Sequence, residues 1–155
     1  MLILFIFVQQ WDGGFFKHTD LRTLGLVVQL GHAPYQACLT AQQRLMVIIH
    51  TNGIHQVRVG VCRCLHAPEL RTQLLRHTWW PATVTDPQTC ATREALSLFH
   101  TLNLNGNLTG TDFYRGLESL TDSRRILDLP VRSLSLLYHG VCVFIPIFRT
   151  VSPHS

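Results

Sequence analysis

Leu45 to His50 (LMVIIH) is a compact apolar run. In the next run, Ile54 to Val61, the residues Ile54, Gln56, Arg58 and Gly60 alternate with His55, Val57, Val59 and Val61. Alternation with period two marks a strand, and Thr51-Asn52-Gly53 between the runs offers the positive φ that a tight turn needs. The pattern predicts a β-hairpin. Before it, Leu21 to Leu30 (LRTLGLVVQL) reads as a short helix passing into a strand, and Gly31 to Cys38 (GHAPYQAC) as a loop. Trp11 to Phe16 (WDGGFF) reads as a Gly-Gly turn that anchors aromatic rings in a core.

After the hairpin, Pro68 to His77 (PELRTQLLRH) opens with Pro and Glu and ends in basic residues, as a helix prefers. Trp79 to Thr83 breaks it. A second helix is expected from about Ala91 to Leu102, with Ala95, Leu98, Phe99 and Leu102 at helical spacing, and a third from about Thr111 to Leu120. The fold class this predicts is α+β: a small domain with a β-hairpin followed by about three helices.

A chain of 155 residues can build one modest core, and with 14% charged residues and a mean hydropathy of +0.18 it is not a disordered one. The formal charge is +4, and twelve of the thirteen basic residues are arginine. That suits phosphate contact without demonstrating it. Arg71, Arg76 and His77 beside Trp79 and Trp80 form a patch that could stack on bases, although indoles closing the core and solvated arginines account for it better. No membrane span is expected: MLILFIFV is short and lacks a basic flank, and His139, Gly140 and Pro146 interrupt the apolar stretch Leu134 to Phe148.

Five cysteines, an odd number, fit a metal or free-thiol chain in a reducing compartment better than a disulfide scaffold. The strand Ile54 to Val61 runs straight into Cys62-Arg63-Cys64. Residues two apart on an extended strand lie about 6–7 Å apart, whereas two thiolates on one zinc at about 2.3 Å each are closer than about 4 Å, so the chain must bend at Arg63. Zinc takes four thiolate or imidazole donors, and the hairpin brings His32 and Cys38 of the preceding loop within reach of Cys62 and Cys64. His50, His55 and His66 also lie near the hairpin in sequence, and each could replace or support His32, His55 as a hydrogen-bonding partner of a ligand. Cys90 and Cys142 have no partner at metal spacing.

Catalytic patterns are lacking. There is no H-x-E with P-C-x-x-C for a zinc deaminase, and the nine acidic residues are scattered rather than clustered for a two-metal site. The chain is therefore not expected to be an enzyme and takes no small-molecule substrate. An autonomous metal-dependent enzyme is the alternative, and an open zinc position would mark it.

Taken in order, WDGGFF, LRTLGLVVQLGH, Cys38, NGIHQVRVGVCRC, QLLRHTWWPAT and FYRGLESLTD resemble the CxC2-like cysteine cluster domain associated with KDZ (Kyakuja, Dileera, Zisupton) transposases, mobile-element proteins of fungi. The resemblance runs from about Trp11 to Asp122. It carries the Leu-Gly-His motif over to His32, the following cysteine to Cys38, the Cys-x-Cys to Cys62 and Cys64, and the Gly-Ile-His motif to His55; assigning zinc to the first four follows from ligand chemistry. The sequence departs from the family where Leu39-Thr40 follows Cys38 in place of a proline and where Asn107 stands in place of a lysine. Relatives also carry a further cysteine-rich stretch before the tryptophan and a transposase region after the Thr-Asp motif.

The organisation implied is an N-terminal extension over residues 1–10, the cysteine-cluster domain over 11–122 and a divergent tail over 123–155. The implied function is that of a truncated transposase-associated module, or a decayed relic of one, with structural zinc. DNA and other transposase regions or subunits would be its partners, and it would act in the nucleus without a membrane.

Overall fold

A computed structural model describes residues 8–19, 25–33 and 36–121. Their elements, in chain order, are β1 (Val8–Trp11), β2 (Phe16–Thr19), β3 (Val27–Gln29), β4 (Gln42–His50), β5 (Gly53–Val61), α1 (Leu70–Arg76), β6 (Trp79–Pro81), β7 (Thr89–Thr92), α2 (Arg93–Gly106) and α3 (Gly110–Thr121). β1 and β2 pair with each other; the remaining strands form one sheet in the order β3-β5-β4-β7-β6. The architecture is α+β, with three helices after the central hairpin.

That hairpin is β4 and β5, antiparallel from Gln42↔Val61 to His50↔Gly53, so the turn itself is Thr51-Asn52. The positive φ falls on Gly53, at +143°. A side chain at Gly53 would be strained in that conformation and would also collide with the Thr121 hydroxyl, 2.6 Å from an ideal Cβ. The same hydroxyl accepts from the Ile54 N–H at 2.7 Å and donates to the Leu117 carbonyl, which ties the end of α3 to the start of β5.

Because successive side chains of a strand point to opposite faces, the hairpin feeds two cores. Met46, Ile48, Val57, Val59 and Val61 pack on one side with Leu30, Leu74, Trp79 and Cys90. Val47, Ile49 and Ile54 pack on the other with residues of β7, α2 and α3, among them Leu96, Phe99 and Phe113. Fully buried positions such as Ile48, Val57 and Val59 each contribute about 2 kcal/mol by leaving water.

Side chains cap the starts of α2 and α3, whereas α1 has no side-chain cap. The Thr92 hydroxyl accepts from the Ala95 N–H ahead of α2; the Thr109 hydroxyl accepts from the Asp112 N–H and donates to its carboxylate ahead of α3. α2 ends at Asn107, which takes the left-handed conformation at φ +49°.

Several sequence expectations change. α2 begins at Arg93 because Ala91 and Thr92 are taken up by β7, and it buries Ala95, Leu96 and Phe99, leaving Leu98 and Leu102 37% and 40% exposed. The break after α1 is an edge strand, β6, which pairs with β7. Trp79 is buried in one core and Trp80 packs partly against the other, so the indoles close the core while Arg71 and Arg76 are exposed. The aromatic residues of WDGGFF are not anchored in a core. They form the end of the β1-β2 hairpin, with Trp11, Phe15 and Phe16 each more than half exposed and the Trp11 and Phe16 rings 5.0 Å apart. The strand expected at the end of Leu21 to Leu30 is β3; the helix expected before it, Cys142 and the apolar stretch Leu134 to Phe148 lie outside the described residues.

Candidate metal centre

The topology gathers the donor residues at one end of the sheet. β3 runs parallel to β5 and pairs with it through Gln29↔Gly60, while β4 is antiparallel to β5 and starts opposite its last residue, Gln42↔Val61. The exit of β3, the start of β4 and the exit of β5 therefore coincide. Since β5 lies between β3 and β4, the loop joining those two must pass over the end of β5. His32 and Cys38 sit in that loop, and Cys62 and Cys64 follow β5.

The result is one group of donors, His32, Cys38, Cys62 and Cys64, whose ligand atoms all lie within 4.8 Å of one another. Cys38 Sγ is 3.7 Å from both Cys62 Sγ and Cys64 Sγ; His32 Nε2 is 3.6 Å from Cys64 Sγ and 3.1 Å from Cys62 Sγ. In a tetrahedral zinc site two thiolates at about 2.3 Å subtend an edge of about 3.8 Å, and a thiolate with an imidazole nitrogen about 3.6 Å. Three of these four distances match the edges of such a tetrahedron, and the fourth is short by about 0.5 Å. The donor set, three thiols and one imidazole with no carboxylate, is the borderline-soft set that zinc prefers.

Local geometry prepares the thiols. A turn closed by Ala41 N–H to Cys38 O, 3.3 Å, folds Thr40 back over Cys38. The Thr40 hydroxyl holds the Cys38 thiol down to about 6 against the upward push of burial, helped by the Thr40 backbone N–H and the neighbouring thiols. This favours the thiolate form of Cys38, the form that binds a cation. At Cys62 the backbone N–H of Cys64 pulls the other way, but burial and the two neighbouring thiols prevail and push that thiol up.

Cys62 is fixed by a residue that sequence reasoning did not single out. Gln73 on α1 is 1% exposed; its Oε1 accepts from the Cys62 N–H at 3.0 Å, and its Nε2 donates to the Cys62 carbonyl at 3.0 Å and to the Pro68 carbonyl at 2.7 Å. One amide side chain thereby takes the place of a partner strand just beyond the end of β5. Gly31 leaves room for it. With φ at +79° and an ideal Cβ 2.6 Å from Cys62 Cβ and 3.0 Å from Gln73 Oε1, position 31 has no space for a side chain. The bend after Cys62 is held by Arg63, which donates twice to Gln42 Oε1, at 3.1 and 2.9 Å.

The other histidines considered near the hairpin fall outside this group. His55 bonds Asn52 at the turn, and His50 bonds the Thr92 hydroxyl at 2.8 Å. Both are at the opposite end of β4 and β5; Cys62 lies seven positions beyond His55, about 23 Å at 3.3 Å per residue. His55 is therefore too far away to orient a ligand. Burial also pushes the His50 imidazole below its ordinary value, against the pull of Glu94. His66 is exposed and not among the four converging donors. Cys90 lies in the core, where burial pushes its thiol up to about 12 and keeps it inert.

No curated protein and no solved structure matches the chain. Residues 21–125 match a protein family described as the CxC2 like cysteine cluster associated with KDZ transposases, a span that takes in β3 through α3 and all four converging donors. The chain belongs to this CxC2 family of KDZ transposase-associated cysteine clusters.

Proposed function

We propose that His32, Cys38, Cys62 and Cys64 hold a structural zinc ion in a transposase-associated module that makes DNA or protein contacts and carries out no chemistry of its own. The convergence of these four donors at near-tetrahedral spacing carries the reading. Four protein donors complete the coordination of zinc, which leaves no position for a reacting water and favours a structural over a catalytic ion. When bound, the ion would supply folding free energy, joining the loop after β3 to the end of β5 across their parallel pairing.

Partners follow from the family and from the surface. Association with a transposase favours DNA and other transposase segments, and the exposed Arg71 and Arg76 are available for phosphate contact. A mobile-element protein that handles DNA would act in the nucleus. Among the described residues no helix is long and apolar enough to cross a membrane.

Stripping the metal from the purified chain with a strong chelator tests this. The expected result is a lower melting temperature and faster amide exchange over residues 30–41 and 62–66, with α2 and α3 less affected because they pack at the other end of the hairpin. A chelator that changes neither would overturn the structural assignment.

A further inference from the structure

The turn at Cys38 and the turn at Cys62 are built alike. In Cys62-Arg63-Cys64 the backbone N–H of the third residue faces the sulfur of the first, and the same holds in Cys38-Leu39-Thr40. Thr40 therefore occupies the place in its turn that Cys64 occupies in the other. Its side chain is directed inward accordingly, with Thr40 Oγ1 3.4 Å from Cys64 Sγ and 3.5 Å from Cys38 Sγ.

A threonine hydroxyl is a poor zinc donor beside three thiols, but it is a ready hydrogen-bond donor to thiolate. Three thiolates and a neutral imidazole overcompensate a divalent cation, so the loaded centre carries excess negative charge on its sulfurs. Cys64 is exposed, and Cys62 receives its stabilisation instead from the buried frame around Gln73. The hydroxyl lies between the two sulfurs that lack that frame.

We propose that Thr40 is a positioning residue of the metal centre: its hydroxyl donates its single proton to the thiolate pair of Cys38 and Cys64, shared between the two sulfurs, tightening the hold on zinc and shielding Cys64 from electrophiles, without itself ligating the ion. This rests on the zinc reading above. Hydrogen bonds to metal ligands from outside the coordination sphere are typically worth about tenfold or more in metal affinity. Because Thr40 is exposed and outside both cores, its replacement leaves the packing intact.

The test compares the full chain with Thr40→Val, which keeps the shape and removes the hydroxyl, and with Thr40→Ser, which restores it. Zinc affinity is read by competition with a chromophoric chelator, Cys64 reactivity by iodoacetamide alkylation of the zinc-loaded chain, and sulfur donation by the charge-transfer band of the cobalt(II) form. Thr40→Val is expected to bind zinc about tenfold more weakly, to alkylate faster at Cys64 and to shift the cobalt band to longer wavelength. Thr40→Ser should return all three towards the parent values. If the parent chain holds zinc and Thr40→Val matches it in affinity, alkylation and band position, the role assigned to Thr40 is wrong while the zinc site stands. A parent chain that takes up neither zinc nor cobalt overturns both.

Discussion

Gln73→Leu is expected to destabilise the chain by about 3 kcal/mol or more, and to loosen the metal centre with it. The substitution leaves the Cys62 N–H, the Cys62 carbonyl and the Pro68 carbonyl without the partner that serves all three. Each buried polar group stranded in this way costs about 1–3 kcal/mol, whereas leucine adds only apolar contact. Against a typical domain stability of about 5–15 kcal/mol the loss is large. Urea unfolding of the zinc-loaded parent and variant measures it, and a midpoint unchanged at equal slope would show that the amide clamp carries no weight.

Cys62→Ser is expected to abolish stoichiometric zinc binding and to bring the melting temperature down to that of the chelator-treated parent. Cys62 is the donor most firmly placed by the fold, next to the last residue of β5 and held at both backbone groups by Gln73. A serine oxygen keeps the volume but loses the soft donor. Cys90→Ala is the control: Cys90 is buried at 0% exposure away from the cluster, so it should lose stability through its cavity yet keep its zinc. Parallel metal analysis and thermal melts of the two variants separate a ligand from a core thiol; equal zinc in Cys62→Ser and the parent would remove Cys62 from the site.

What the sequence revealed depended on whether local pattern or long-range topology decided the matter. The hairpin was legible because a compact apolar run, Leu45 to His50, and eight alternating residues, Ile54 to Val61, flank an Asn-Gly, and the thiols announced their chemistry by type. β6 and β7, at three and four residues, are too short for a period to build up, and both exist only because β4 offers β7 a parallel edge. His66 shares the cluster's end of the hairpin and is set apart by not converging on it, whereas the choice among His32, His50 and His55 turned on which end of the hairpin each occupies. That follows from β3 pairing in parallel with β5, a contact between segments about thirty residues apart.

The role of Gln73 was hidden because a glutamine on a short helix usually faces water. A signal for it did exist: Leu70, Gln73 and Leu74 stand at i, i+3 and i+4, which places the amide on the buried stripe of α1. WDGGFF misled in the opposite direction, since aromatic content suggests burial but the β1-β2 hairpin leaves those rings in solvent. The rotation of α2, burying Leu96 in place of Leu98, came from the start point that β7 and the Thr92 cap impose.

The most direct test of the central claim is the metal content of the purified full chain, measured by plasma mass spectrometry beside a His32→Ala, Cys64→Ser double variant. The account predicts one zinc per chain in the parent and none retained in the variant. A folded parent that holds no zinc would contradict it, and would leave the meeting of His32, Cys38, Cys62 and Cys64 as packing alone.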